Sequence, residues 1–178
     1  MKKIAEREVL VQDAGTGYTK QILAKDFMHP NGLREVFFID KDKDSVQIFA
    51  LTEAMTVLCV KQFRAGTEEY AVEMPGGGVN EDESLLNAAV RELREDTGYE
   101  PNSIRPLVSL PYSPYSTGRR HVFLAEGCRK VSRQNLDPNE QGLRVQEWKL
   151  TVFREELRKG RIRGWDVGYI ALDVLGLL

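Results

Sequence analysis

The chain has 178 residues, 42% hydrophobic and 29% charged, proportions of a globular fold long enough for one substantial core. A net charge of −2 supplies no global basic field, so non-specific nucleic-acid binding is not expected. No apolar run reaches the length of a membrane span, and "MKKIAEREVL" lacks the apolar core of a signal peptide. Cys59 and Cys128 sit in or beside apolar runs, which reads as packed thiols in a reducing cytoplasm.

In chain order, "EREVLVQDAG", "GYTKQILAKDFMH" and "REVFFIDKD" are strand-like pieces separated by the turn signals Asp13-Ala14-Gly15 and Pro30-Asn31-Gly32. They predict a small antiparallel β unit over residues 1–45. Three short strands bury little by themselves, so this unit is expected to pack on the remainder or on a second subunit. "SVQIFALT" and "MTVLCVKQFR" follow as strands. The second is apolar at almost every position before Lys61, as for a strand covered on both faces. "EEYAVEMPGGG" leads into an acidic helix. Two strands then flank the loop "PYSPYSTG", a polar loop "RQNLDPNEQG" precedes the strand "LRVQEWKL", and "VFREELRKG" reads as a helix stopped by Gly160. The last stretch places Val167, Ile170, Ala171, Val174 and Leu178 at helical spacing, a core-facing helix. Mixed strands with interleaved helices predict an α/β fold, with residues 46–178 as its main domain.

The acidic helix carries the chemistry. Asn80 with Glu83 has the spacing of a capping box, and Leu86, Ala89, Val90 and Leu93 form an apolar stripe. Glu92 and Asp96 lie one turn apart, with Glu95 on the adjoining turn, all at the border of that stripe. A solvated acidic face with an Arg91–Glu95 pair is the plain reading of such a run. Against it stands Gly76-Gly77-Gly78 after Pro75, where backbone without side chains lets a ligand approach. Carboxylate and carbonyl oxygens suit hard cations such as Mg²⁺ or Mn²⁺, which also bind phosphates. His29 and His121 have no partners at zinc-ligand spacing.

Gly77, Glu83, Arg91, Glu92, Leu93, Glu95 and Gly98 resemble, in register, the Nudix box G-x5-E-x7-R-E-U-x-E-E-x-G-U, with Tyr99 closing it. Asp96 stands where that pattern has its last Glu, one methylene shorter. "VKQFR" and "VEMPGGG" are similar to the flanks of the ADP-ribose and nucleoside-diphosphate-sugar pyrophosphatase branch, with Gly76 where that branch has Ala. The resemblance implies an α/β/α sandwich with a mixed sheet and an N-terminal β unit that helps build a homodimer. It implies Mg²⁺-dependent cleavage of a nucleoside diphosphate sugar such as ADP-ribose. Glu92 and Glu95 then serve catalysis together with Glu140 of the polar loop, for which Asp137 is the rival. The Gly76 carbonyl, Glu92, Glu95 and Asp96 become metal ligands, Arg91 orients the box acids, Arg64 meets the nucleotide or a phosphate, and Glu73 meets substrate or the partner subunit. Where that branch often carries an acid this chain has Gly118, Arg119 and Arg120; Arg119 is read from its own chemistry as a candidate phosphate contact, with Arg120, its neighbour on the strand, facing the other way. Tyr112 and Tyr115 are candidates for base stacking. Dinucleoside polyphosphates, RNA 5′ ends, or a sensor of nucleotide sugars with little turnover remain alternatives, the RNA reading requiring a basic strip.

Overall fold

The computed structural model describes residues 1–13, 19–136, 140 and 142–178. The turn expected at Asp13-Ala14-Gly15 extends beyond them. The chain forms two compact units, one of Met1–Asp44 with Leu110–Arg120, the other of Ser45–Ser109 with His121–Leu178.

In the first unit, β1 (Lys2–Asp13), β2 (Thr19–Met28) and β3 (Arg34–Asp40) form an antiparallel meander in the order β1-β2-β3. Leu23, Ala24 and Asp26 are the buried positions of β2, as the middle strand dictates, and Ile39 is buried on β3. Asp26 is balanced by Arg7 at 3.1 Å and Arg34 at 2.7 Å, and these arginines hold its carboxyl below the usual range. The segment around Tyr115 closes this unit: the Asp40 amide donates to the Tyr115 carbonyl (2.8 Å), and Phe37 stacks on the Tyr115 ring at 6.4 Å.

The second unit contains β4 (Ser45–Thr52), β5 (Thr56–Arg64), β6 (Glu69–Glu73), helix α1 (Leu85–Thr97), β7 (Tyr99–Glu100), β10 (Arg144–Lys149), α2 (Leu150–Arg158), β11 (Ile162–Arg163) and α3 (Trp165–Val174). Strands β8 (Ser103–Pro111) and β9 (Arg119–Lys130) contribute most of their residues to it. The sheet runs β11-β6-β5-β4-β9-β7, with β10 also on β5 and β8 on β9. It is mixed, because β11 joins β6 in parallel while β5 pairs β4, β6 and β10 antiparallel. The two-residue strands β7 and β11 had no sequence signal, being too short for any alternation.

Period-2 alternation along β4 separates the layers. Val46, Ile48 and Ala50 pack with Ala88, Ala89 and Leu93 of α1, whereas Phe49 faces the other way and meets Phe153 of α2 edge-on at 5.4 Å. Helices therefore cover both faces, and Val57 to Val60 of β5 are fully buried as its apolar run predicted. Both rings of the Phe49–Phe153 pair are 0% exposed. Phe153→Ala is expected to lower stability by about 3–5 kcal/mol through lost transfer energy and the cavity left, read as a shift of the urea unfolding midpoint.

The helix expectations need three corrections. Ser84, not Asn80, caps α1, accepting from the Asn87 amide at 3.2 Å. Glu83 still reaches back to the Asn80 amide (3.2 Å), but in the loop before the helix. Leu86 is exposed, and the buried face of α1 is Ala88, Ala89, Glu92, Leu93, Asp96 and Thr97. The helix is thus turned so that two acids share its inner side. In α3, Val167, Gly168, Ala171 and Leu172 are buried, while Val174 and Leu178 are exposed because the helix ends at Val174. Cys59 and Cys128 are free, buried thiols whose pKa burial pushes up to about 12.

Candidate active site

The site is assembled where the Gly76-Gly77-Gly78 strap crosses the inner face of α1. Pro75 and Gly77 give their carbonyls to the amides of Ile48 and Val46 (both 2.9 Å), so the strap is fastened to β4. The alternate groups point elsewhere: the Gly76 amide donates to Asp96 Oδ2 at 2.9 Å, and the Gly76 carbonyl stays outside that pairing. A Cβ on Gly76 would lie 2.2 Å from the Val46 carbonyl oxygen, and one on Gly77 2.5 Å from Glu92 Oε2. At Gly76, where backbone blocks a Cβ, glycine is a steric requirement of this approach, and at Gly77 a Cβ would push the Glu92 carboxylate aside. Gly77→Ala is expected to displace the Glu92 carboxylate and lower turnover by about 10–100-fold. Steady-state kinetics alongside an unchanged circular dichroism spectrum check it.

Arg91 organises the acids. Its guanidinium contacts Glu83 at two points (both 2.8 Å), reaches Glu92 at 2.7 Å and Glu95 at 2.8 Å, and donates to the Gly78 carbonyl at 2.9 Å. One cation thereby sets the rotamers of three carboxylates and pins the glycine strap. These contacts include the Arg91–Glu95 pair of the plain reading.

Glu92 is 7% and Asp96 1% exposed, so neither is a solvated surface acid. Burial pushes Glu92 up to about 6, opposed by Arg91 and reinforced by Glu95 and Glu140. Burial pushes Asp96 further, to about 8; the Gly76 amide opposes this, and Glu92, Glu140 and Glu95 add to it. Glu140 therefore acts electrostatically on both helix acids despite its distance in sequence. Its rival Asp137 lies outside the described residues.

Arg64 and Glu73 meet each other first. The Arg64 Nε donates to Glu73 Oε1 at 2.8 Å and its Nη2 to Oε2, a two-point pair between neighbouring strands. Glu73 is 5% exposed, and Arg163 approaches it at 3.8 Å. Asp96 and Glu140 also stabilise the Arg64 cation, which puts Arg64 in the field of the acid cluster. Arg119 belongs to the first unit, where its backbone amide donates to Asp44 Oδ1 at 2.8 Å. Tyr112 and Tyr115 belong there too.

A further anchor had no signal in the sequence. The Gln134 side-chain amide donates to the Asp96 carbonyl at 2.6 Å, and the Asn135 amide to the Glu95 carbonyl at 3.0 Å. The segment leading towards Glu140 thus satisfies carbonyls at the end of α1 that no helical turn can reach. Partners 38 residues apart carry no local pattern, and only the fold pairs them.

The residues fit a hard divalent cation. All candidate donors are oxygens, and Asp96 Oδ1 is buried without a hydrogen-bond partner among the described residues. Among those residues no three acidic, histidine or cysteine groups stand at cation-holding spacing, and Glu92 and Glu95 are both paired with Arg91. Among them, too, no helix is long and apolar enough to cross a membrane.

The profile described as the NUDIX domain matches residues 41–170. An ADP-ribose pyrophosphatase of Bacillus subtilis (strain 168) is 30% identical over 142 residues, 79% of this chain and 77% of that one. A methanol dehydrogenase activator of Bacillus methanolicus is 28% identical over 141 residues, 78% and 76% of the respective chains. The crystal structure of an ADP compounds hydrolase superposes with a TM-score of 0.79 at 19% identity, covering 99% of this chain and 96% of that one, a likeness of fold.

Proposed function

The chain belongs to the Nudix hydrolases, and from that premise we propose that it cleaves the pyrophosphate of a nucleoside diphosphate sugar such as ADP-ribose, with Mg²⁺ or Mn²⁺, giving a nucleoside monophosphate and a sugar phosphate. The observation that carries this reading is the single electrostatic cluster of Glu92, Glu95, Asp96, Glu140 and Arg64, four acids and a cation brought to one place from α1, β5 and the late loop. The relative from Bacillus subtilis, named for ADP-ribose, supports the choice of substrate.

Glu92, Glu95, Asp96 and the Gly76 carbonyl would hold the cation, which when bound neutralises the diphosphate and makes a water more acidic. The chain's own groups do the rest. Glu92, a buried carboxylate kept ionised by the Arg91 guanidinium, accepts the proton of the attacking water at neutral pH. Arg91 keeps that carboxylate oriented, and the Gly77 strap restricts its movement. Glu140 supplies a second acid close enough to bias the same proton transfer. Arg64, held by Glu73, directs its charge at the leaving phosphate.

The apolar residues exposed on the first unit, Ile4, Val9, Val36 and Phe38 among them, support assembly as a homodimer through its β meander. Sedimentation at micromolar concentration tests that.

Phosphorus NMR with Mg²⁺ tests the activity against ADP-ribose, GDP-mannose and a dinucleoside polyphosphate. Loss of the ADP-ribose diphosphate signals to two monophosphates is expected. All three substrates left intact, with Mn²⁺ as well as Mg²⁺, would overturn the reading.

A further inference from the structure

Lys61 of β5 and Arg144 of β10 stand directly opposite each other in antiparallel register. Like charges in that position repel across a few ångströms and destabilise a sheet unless something offsets them. Among the described residues no carboxylate does so, and neither side chain has an ion pair there. The Lys61 ammonium instead lies 5.9 Å from the centre of the Tyr70 ring. Tyr70 is 66% and Phe63 52% exposed, and the two rings meet edge-on at 5.6 Å. Lys61, Tyr70, Gly142 and Arg144 line a cavity of about 350 Å³.

This cavity is not the acid site. Leu58 faces α1 in the core, so Lys61, three residues on, points to the other face of the sheet. Arg64, three further, returns to the α1 side, where Asp96 and Glu140 act on it. Two cations side by side, without a carboxylate partner among the described residues and beside a broad exposed ring, have a specific complement. A phosphate satisfies both charges at once, the guanidinium by paired hydrogen bonds, and a flat aromatic group covers the ring. The volume lies at the lower end of the range for small-molecule sites, suited to one base with one phosphate.

We infer that Lys61, Arg144 and Tyr70 form an accessory site for a nucleoside monophosphate, on the face of the sheet opposite the catalytic acids. Gly142 places this site two residues from Glu140, so occupancy bears on the segment that carries a catalytic acid. The site stands on its own residues, whichever diphosphate is cleaved at α1.

The test is binding of AMP to the full chain in EDTA, followed by amide proton–nitrogen NMR. AMP is expected to shift the amides of Lys61, Tyr70, Gly142 and Arg144 with submillimolar affinity. Lys61→Ala combined with Arg144→Ala should weaken it at least tenfold, and Tyr70→Ala should weaken it severalfold. Adenosine, without phosphate, and ribose 5-phosphate, without base, should each bind at least tenfold more weakly than AMP. Arg64→Ala should leave this binding unchanged. Unperturbed resonances elsewhere confirm that the exposed substitutions leave the fold intact. The inference is overturned if AMP shifts only residues around Gly76 and α1, if the double variant binds like the wild type, or if ribose 5-phosphate binds as tightly as AMP.

Discussion

Glu92→Gln is expected to lower kcat for ADP-ribose by about 10³-fold with KM changed less than about threefold. The amide is nearly isosteric, and its oxygen can still accept from Arg91 Nη1, so the arrangement of Arg91, Glu83 and Glu95 should persist. What disappears is a buried carboxylate able to take a proton, which an amide cannot do. The split between kcat and KM is the diagnostic, because a change that merely loosened the fold would raise KM as well. Glu95→Gln should have the smaller effect, since its side chain is 32% exposed and water can replace part of what it does. Rates measured from phosphorus signals for the three proteins decide the order. Equal losses would remove Glu92 from its place as base.

The second large effect concerns stability in the absence of metal. Asp96 titrates near 8 in the folded protein against a reference of 3.8, so the folded state binds the proton more tightly than the unfolded state does. Stability therefore falls as pH rises from about 4 to about 8 and levels off beyond, where the buried carboxylate is charged in both states. Glu92 contributes in the same direction over a narrower window, up to about 6. Asp96→Asn is expected to flatten most of this dependence and raise Tm in EDTA at pH 8 by about 5 °C or more. In the wild type, Mg²⁺ should restore the lost stability most strongly at pH 8; in the Asn variant that rise should largely vanish. Thermal unfolding at pH 5 and pH 8, with EDTA or Mg²⁺, reads all of it. A wild-type Tm in EDTA that does not fall with pH would contradict the burial of Asp96 as an electrostatic burden.

The acids of α1 were readable in the sequence because a helix turns a linear spacing into a shared face. Glu92 and Asp96 four residues apart, and Gly77 in fixed register before them, needed no tertiary information. The strands β4 and β5 were equally legible, since their apolar runs follow from burial on both faces. The helix start was misplaced because Asn80 and Ser84 both have capping chemistry, and only the path of the preceding loop selects between them. The apolar stripe was misjudged for a related reason: Leu86 is more hydrophobic than Asp96, yet the glycine strap shelters the acid and leaves the leucine exposed. Hydrophobicity ranks residues, but it does not say which side of a helix its neighbours will cover.

The sequence by itself determined the class of fold, because periodicity along the chain reports burial, and the family, because the Gly77–Tyr99 pattern resembles the Nudix box residue by residue; it also supplied the acids proposed for the chemistry. Tertiary structure alone decided how far Asp96 is desolvated, that Arg64 spends its fork on Glu73, that Gln134 caps the end of α1, and that Lys61 faces Arg144. Each of these joins residues that no local pattern couples. Electrostatic energy depends on separation and burial in space, so a list of charges in order cannot contain it.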